Sequence, residues 1–214
     1  MTRRNNDDFV LLNRFKGRLL NHLTSVDRTG SVSVIEEALR YNCTPASIYN
    51  SVITPAMVDL GDLWIGGRIT IAHEHHASEI VDDLINMVVQ KSQRLSINGL
   101  RALVTSPSGE NHYIGAKIFA NLLFLEGWDV EYLGPDTPAE DLTKYLMEIE
   151  VDVVALSVVL PGNILSVKDA VSSIESLENP PFVILGGPAF KGFSDEIGTA
   201  AIADNSATGL TVLQ

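Results

Sequence analysis

A single cysteine, Cys43, stands in 214 residues. No internal disulfide is possible, and a lone thiol fits a reducing compartment. Basic residues are scarce as well: Lys and Arg total 15 against 27 Asp and Glu, a formal charge of −12 with histidine neutral. A protein that grips a phosphate backbone directly must neutralise it with cations, so no direct nucleic-acid contact is expected, and DNA would be reached only through a partner. No stretch reaches the ~18 apolar residues of a membrane span. The opening MTRRNNDDF has the arginines of a secretory leader without the apolar run that should follow them. The expected location is therefore the cytoplasm, with no membrane contact. What is present suffices for folding: 45% hydrophobic and 20% charged residues supply enough apolar surface to offset the entropy of ordering the chain.

Two styles of sequence meet between residues 92 and 100. Before the junction, apolar residues recur at helical spacing, as in Ile48, Val52, Ala56, Leu60 and Leu63. Four helices are predicted, over Phe9 to Val26, Ser33 to Tyr41, Pro45 to Trp64 and Ile71 to Lys91. Thr44 before Pro45 is a start signal, because threonine caps free amides and proline is tolerated at the first helical position. The Gly66-Gly67 pair separates the third helix from the fourth. Residues 7–94 thus read as a four-helix bundle.

After Asn98-Gly99 the pattern changes to β-branched runs separated by helix-length segments: LRALVTS, GWDVEYLG, VDVVALSVV, PFVILGG and TAAIAD. Runs apolar on both faces are expected of strands buried in a parallel sheet. Residues 99–214 therefore read as an α/β, Rossmann-like doubly wound domain. Ligands of such sheets sit outside the carboxyl ends of the strands, so the residues after each run are the candidates for chemistry.

The first run ends at Ser106 and leads into Pro-Ser-Gly-Glu-Asn-His-Tyr-Ile-Gly. This places Glu110, His112 and Gly115 at the ligand edge. An imidazole there can bind a metal through one nitrogen while the other donates to a carboxylate, and Glu110 is near enough in sequence to be that carboxylate. A glycine one turn onward lets a bulky ligand approach the helix backbone. The third run places Ser157 and Val159 at the same edge, and the fourth places Gly186 and Gly187 there, so a small hydroxyl and a double glycine leave a slot.

In order, Glu110, His112, Gly115, Ser157, Val159, Gly186 and Gly187 match the signature of the cobalamin-binding domain family, which this sequence resembles. The resemblance implies that cobalamin is the cofactor, with His112 the lower axial ligand of cobalt and Glu110 in the place of an aspartate common in the family. It also implies that the displaced benzimidazole tail enters a slot lined by the serine and glycines.

The helical half carries Trp64 followed, after nine residues, by Glu74-His75. His73, Glu74, His75 and His76 miss the His-Glu-x-x-His zinc spacing, and His75 and His76 do not share a helix face. An indole can roof an axial ligand, Glu74 can accept ribose hydroxyls, and His75 can donate or ligate. The Trp64, Glu74, His75 set resembles the upper-face signature of the CarH and LitR group of cobalamin photoreceptor regulators, in which a helical bundle covers the corrin. Two departures follow. No MerR-type DNA-binding domain is expected ahead of Phe9, so DNA contact would be delegated, and Ile65 stands where a well-known member of the group has the histidine that captures cobalt after light.

The combination is similar to antirepressors of the AerR type. It implies a non-enzymatic, light-responsive regulator of transcription that binds adenosylcobalamin or hydroxocobalamin and contacts a DNA-binding repressor. The alternative is a corrinoid methyl-carrier subunit of a methyltransferase system.

Overall fold

The computed structural model describes residues 2–192, 197–203 and 205–213, with side chains from Asp8 onward. It divides into two compact units, Met1–Gln93 and Arg94–Gln214.

The first unit contains α1 (Thr2–Thr24), α2 (Arg28–Arg40), α3 (Pro45–Ile48), a π turn (Tyr49–Ile53), α4 (Thr54–Ile65) and α5 (Ile71–Gln90). The helical period supplies its core: Phe15, Leu19 and Leu23 of α1 and Ile80, Leu84 and Val88 of α5 are fully buried. Buried side chains of this size contribute about 1.5–3 kcal/mol each before entropy is counted. Three boundaries differ from those expected. The first helix starts at Thr2 and ends at Thr24. The second begins five residues early, at Arg28, because the Asp27 carboxylate accepts from the Gly30 N–H at 2.9 Å and caps it.

The third difference is an interruption. The segment expected as one helix from Pro45 to Trp64 widens into a π turn just before Pro55, where the Thr54 N–H donates to the Tyr49 carbonyl, five residues back. Proline lacks an N–H and crowds the carbonyl four residues earlier, and the wider turn accommodates that loss. Thr44 caps as expected, its Oγ1 accepting from the Ser47 N–H at 3.1 Å.

The second unit is a five-stranded parallel sheet in the order β2-β1-β3-β4-β5. Its elements are β1 (Arg101–Pro107), α6 (Ile114–Leu125), β2 (Asp129–Thr137), α7 (Ala139–Glu148), β3 (Val153–Ser157), α8 (Ile164–Glu175), β4 (Phe182–Gly186), β5 (Ala201–Ala203) and α9 (Ser206–Val212). Alternation along the strands sorts the side chains into two cores. Leu103, Val154, Leu156, Val183 and Leu185 pack against α7 and α8. Ala102, Val104, Val153, Ala155 and Ile184 pack on the other face against α6, with Leu210 of α9 beside them. Helices on both faces make the sheet doubly wound, and β1 and β3 flank the point where strand order reverses.

β2 departs from the expectation of burial on both faces: it is an edge strand and is mostly exposed or half-buried. The last strand is shorter than the run TAAIAD, and Asp204 and Gln214 lie outside the described residues. Among the described residues no helix is long and apolar enough to cross a membrane.

The segment entering the second unit is fastened to the end of α6. The Arg94 guanidinium donates to the carbonyls of Phe124 (3.0 Å) and Trp128 (2.7 Å) and lies 4.0 Å from the Phe124 ring centroid. The Asn98 N–H donates to the Gly127 carbonyl. Gly127 has φ +92°, and a Cβ there would sit 2.2 Å from the Ser96 carbonyl oxygen. Gly127→Ala should therefore lower the unfolding free energy by about 2 kcal/mol or more, read as a fall in the urea midpoint at unchanged slope.

Candidate cofactor site at the carboxyl edge of the sheet

The loop between β1 and α6 carries His112, and the Glu110 carboxylate organises it. Glu110 is fully buried. Its Oε1 accepts from the His112 backbone N–H at 3.0 Å and lies 2.5 Å from His112 Nδ1. Its Oε2 accepts from the N–H groups of Val159 (2.9 Å) and Leu160 (3.0 Å) and from Asn163 Nδ2 (3.1 Å). Burial pushes this carboxyl up, but the donors from Leu160, His112 and Val159 outweigh it and hold the pKa at about 2. The group is a carboxylate at neutral pH, so the proton in the short contact sits on Nδ1. In the neutral ring that tautomer puts the lone pair on Nε2, the atom a metal would take. The His112 side chain is 53% exposed.

A second clamp holds the same loop from β2. The Asp136 carboxylate accepts from the Gly109 N–H at 2.7 Å, and the Asp136 N–H donates to the Glu110 carbonyl at 3.1 Å. Asp136 adopts φ +56°, a left-handed conformation that aspartate tolerates better than most residues. Asn163 also donates to the Gly109 carbonyl at 3.3 Å. Neither Asp136 nor Asn163 was marked by the sequence pattern. Asn163 closes a Pro-Gly-Asn turn after β3, a turn signal that carries no information about a partner 53 residues away.

Ser157, Gly186 and Gly187 converge. Ser157 pairs with Gly186 across β3 and β4. A Cβ on Gly115, near the start of α6, would lie 3.4 Å from Ser157 Oγ, which places helix and strand side by side. Gly187, at φ +115°, must be glycine, since a Cβ would meet the Val158 carbonyl oxygen at 2.1 Å. Gly186 is different: the nearest heavy atom to its Cβ position is 4.0 Å away, so the missing side chain leaves space. Val159 takes part through its backbone N–H.

The helical unit holds the other predicted residues. Trp64 is the penultimate residue of α4, just before Ile65, and is 43% exposed. Glu74 Oε1 accepts from Ser78 Oγ at 2.9 Å, and the His75 ring, 73% exposed, has Nε2 3.7 Å from Glu74 Oε2. His73 Nδ1 lies 2.7 Å from Thr70 Oγ1 at the helix start, while His76 Nδ1 is buried without a hydrogen-bond partner.

Among the described residues no group of three or more His, Cys, Asp or Glu could hold a metal ion. The space at Gly186, the close approach of Gly115 to Ser157, and the free Nε2 fit a macrocycle with an appended tail.

Residues 100–208 match the family model described as the B12 binding domain, and residues 16–88 match a second B12 binding domain model. The chain belongs to the B12 binding domain family. Within it the chain is 37% identical over 95 residues to the HTH-type transcriptional repressor CarA of Myxococcus xanthus, covering 44% of this chain and 33% of that protein. It thus spans about a third of the repressor's length. It is 23% identical over 180 residues to dimethylamine corrinoid protein 3 of Methanosarcina acetivorans, covering 79% and 82% of the two chains. It is 25% identical over 184 residues to the trimethylamine corrinoid protein of Methanosarcina barkeri, covering 82% and 84%. The solved monomethylamine corrinoid protein of Methanosarcina barkeri shares the fold, with a TM-score of 0.75 over 94% of this chain and 97% of that one at 19% identity.

Membership in this family gives the Glu110 network a measurable consequence. Glu110→Gln replaces an acceptor by an amide donor facing N–H groups and should cost about 2–4 kcal/mol of stability. Faster amide exchange at Val159 and Leu160 in the apoprotein would locate the damage.

Proposed function

We propose that the chain is a corrinoid-dependent, light-responsive sensor that regulates transcription by binding a DNA-binding repressor, as an antirepressor and not as an enzyme or a DNA binder. The observation that carries this reading is Trp64, a large indole left 43% exposed at the end of α4. Glu74 follows it on the first turn of α5, with His75 next to it. The 37% identity to the CarA repressor over 95 residues supports it.

A bound corrin would supply a cobalt whose coordinated group can be exchanged. His112 would hold that cobalt through Nε2, with Glu110 retaining the Nδ1 proton and fixing the ring. Ser157, Gly186 and Gly187 would receive the tail, and Gly115 would leave it room. Trp64 would offer a flat apolar surface to a bulky cobalt-bound group such as adenosyl, and Glu74 a carboxylate for ribose hydroxyls. A closely packed helical unit moves between discrete arrangements when its filling changes. The output requires that the repressor bind one cofactor state better than the other.

A second reading, a methyl-carrying corrinoid subunit, is favoured by the extent of similarity: the dimethylamine corrinoid protein matches 79% of this chain, CarA 44%. Trp64, Glu74 and His75 weigh toward the sensor, because a methyl ligand needs neither an apolar roof nor a ribose acceptor.

His112→Ala should shift the visible spectrum of the cobalamin complex and weaken binding; an unaltered spectrum would show that another atom lies under the cobalt. With adenosylcobalamin bound, repressor affinity in dark and light should differ about fivefold or more. Equal affinities remove the light response. Turnover of bound methyl with a methyl donor and a methyltransferase selects the second reading.

A further inference from the structure

The outer surface of the α/β unit carries a groove that the cofactor site does not use. Between α7 and α8 lies a depression of about 500 Å3, lined by Ala139, Thr143 and Met147 of α7 and by Ser173 and Ser176 of α8. The three α7 residues stand four apart and form one stripe along two turns of helix, about 12 Å. Two of the hydroxyls are satisfied by their own helices: Thr143 Oγ1 donates to the Ala139 carbonyl at 2.7 Å, and Ser176 Oγ to the Ser173 carbonyl at 2.7 Å. What the groove offers a guest is therefore mainly carbon and the adaptable thioether of Met147, which is 71% exposed.

The rim is acidic. Glu140 and Lys144 complete the lining, and Lys144 Nζ lies 2.6 Å from Glu140 Oε1 and 3.6 Å from Asp141 Oδ1, so this cation is already held by carboxylates. Glu148 follows Met147, and Asp169 stands one turn before Ser173 on the same side of α8. Lys168 is carried about 140° round the helix from Ser173, away from the groove. The imbalance runs through the whole unit, since residues 94–214 hold 16 of the 27 acidic residues and 6 of the 15 basic ones. An apolar groove between carboxylates disfavours an anionic guest and favours a cationic one.

We propose that this groove docks a cationic amphipathic helix of a partner protein. Two turns of the guest's apolar face lie along Ala139, Thr143 and Met147, while its Lys and Arg residues meet Glu140, Asp141, Glu148 and Asp169. The inference goes beyond the sensor reading and uses none of its cofactor residues. A DNA-binding regulator must carry cations where it meets phosphate, so it belongs to the class of partner the groove fits.

The test titrates the full chain, without corrinoid, into a fluorescently labelled peptide of leucine and lysine whose leucines share one helical face, with anisotropy as the readout at physiological ionic strength. The peptide should bind and slow amide exchange in α7 and α8. A peptide of the same composition with its leucines scattered round the helix should bind at least about tenfold more weakly, because charge alone does not fill the groove. Met147→Arg, at an exposed position that the fold does not need, should weaken the amphipathic peptide about tenfold; Thr143→Arg is the second variant and should do the same. Glu79→Gln on α5 makes the same change of one charge in the other unit and should leave affinity unchanged. No binding of the amphipathic peptide, equal binding of the scattered one, unchanged affinity in both arginine variants, an equal loss in Glu79→Gln, or protection outside α7 and α8 would overturn the assignment. A failed cobalamin titration would refute the corrinoid reading and leave the groove standing.

Discussion

Five N–H groups converge on one buried carboxylate, that of Glu110: the His112 amide and ring, the amides of Val159 and Leu160, and the Asn163 side chain. A carboxylate out of water is costly unless its lone pairs are met, and here they are met from two loops about 50 residues apart. The same bonds therefore perform two tasks. They tie the loop after β1 to the loop after β3, and they decide which imidazole nitrogen keeps its proton. Asp136 adds a third tie from β2, so three neighbouring strands fix one histidine.

The sheet explains why that histidine stands where a large cofactor can reach it. In the order β2-β1-β3-β4-β5 the connections from β1 and β3 leave toward opposite faces, opening a crevice at their carboxyl ends. On the α6 side of that crevice the side chains become small: Ser106, Gly115, Ser157, Gly186. Gly187 is demanded by the protein's own backbone, since its Cβ position is filled by the Val158 carbonyl. Gly186 is not so demanded: the nearest atom to its Cβ position, the Ala203 carbonyl oxygen, is 4.0 Å away. The distinction separates a glycine needed for folding from one that makes room.

Much of this could be read along the chain because it is written in local periodicity. The 3.6-residue spacing of Phe15, Leu19 and Leu23 and the two-residue alternation of Ala102 and Val104 each follow from which face must leave water. Where local signals conflict, the structure departs from the periodicity. Pro55 lies inside a helical pattern, and the Tyr49–Ile53 turn widens ahead of it. The apolar residues of GWDVEYLG suggested a buried strand, but β2 has a neighbour on one side only and lies largely open.

By itself the sequence determined the two-part organisation, the helical and α/β classes, and the pairing of Glu110 with His112, because each depends on residues a few positions apart. Tertiary structure decided which donors reach Glu110 Oε2, that Asp136 and Asn163 hold the loop, and that the Ser106 hydroxyl is buried without a partner. Those facts depend on which strands become neighbours and on where water is excluded, and neither quantity is carried by the spacing of residues along a chain.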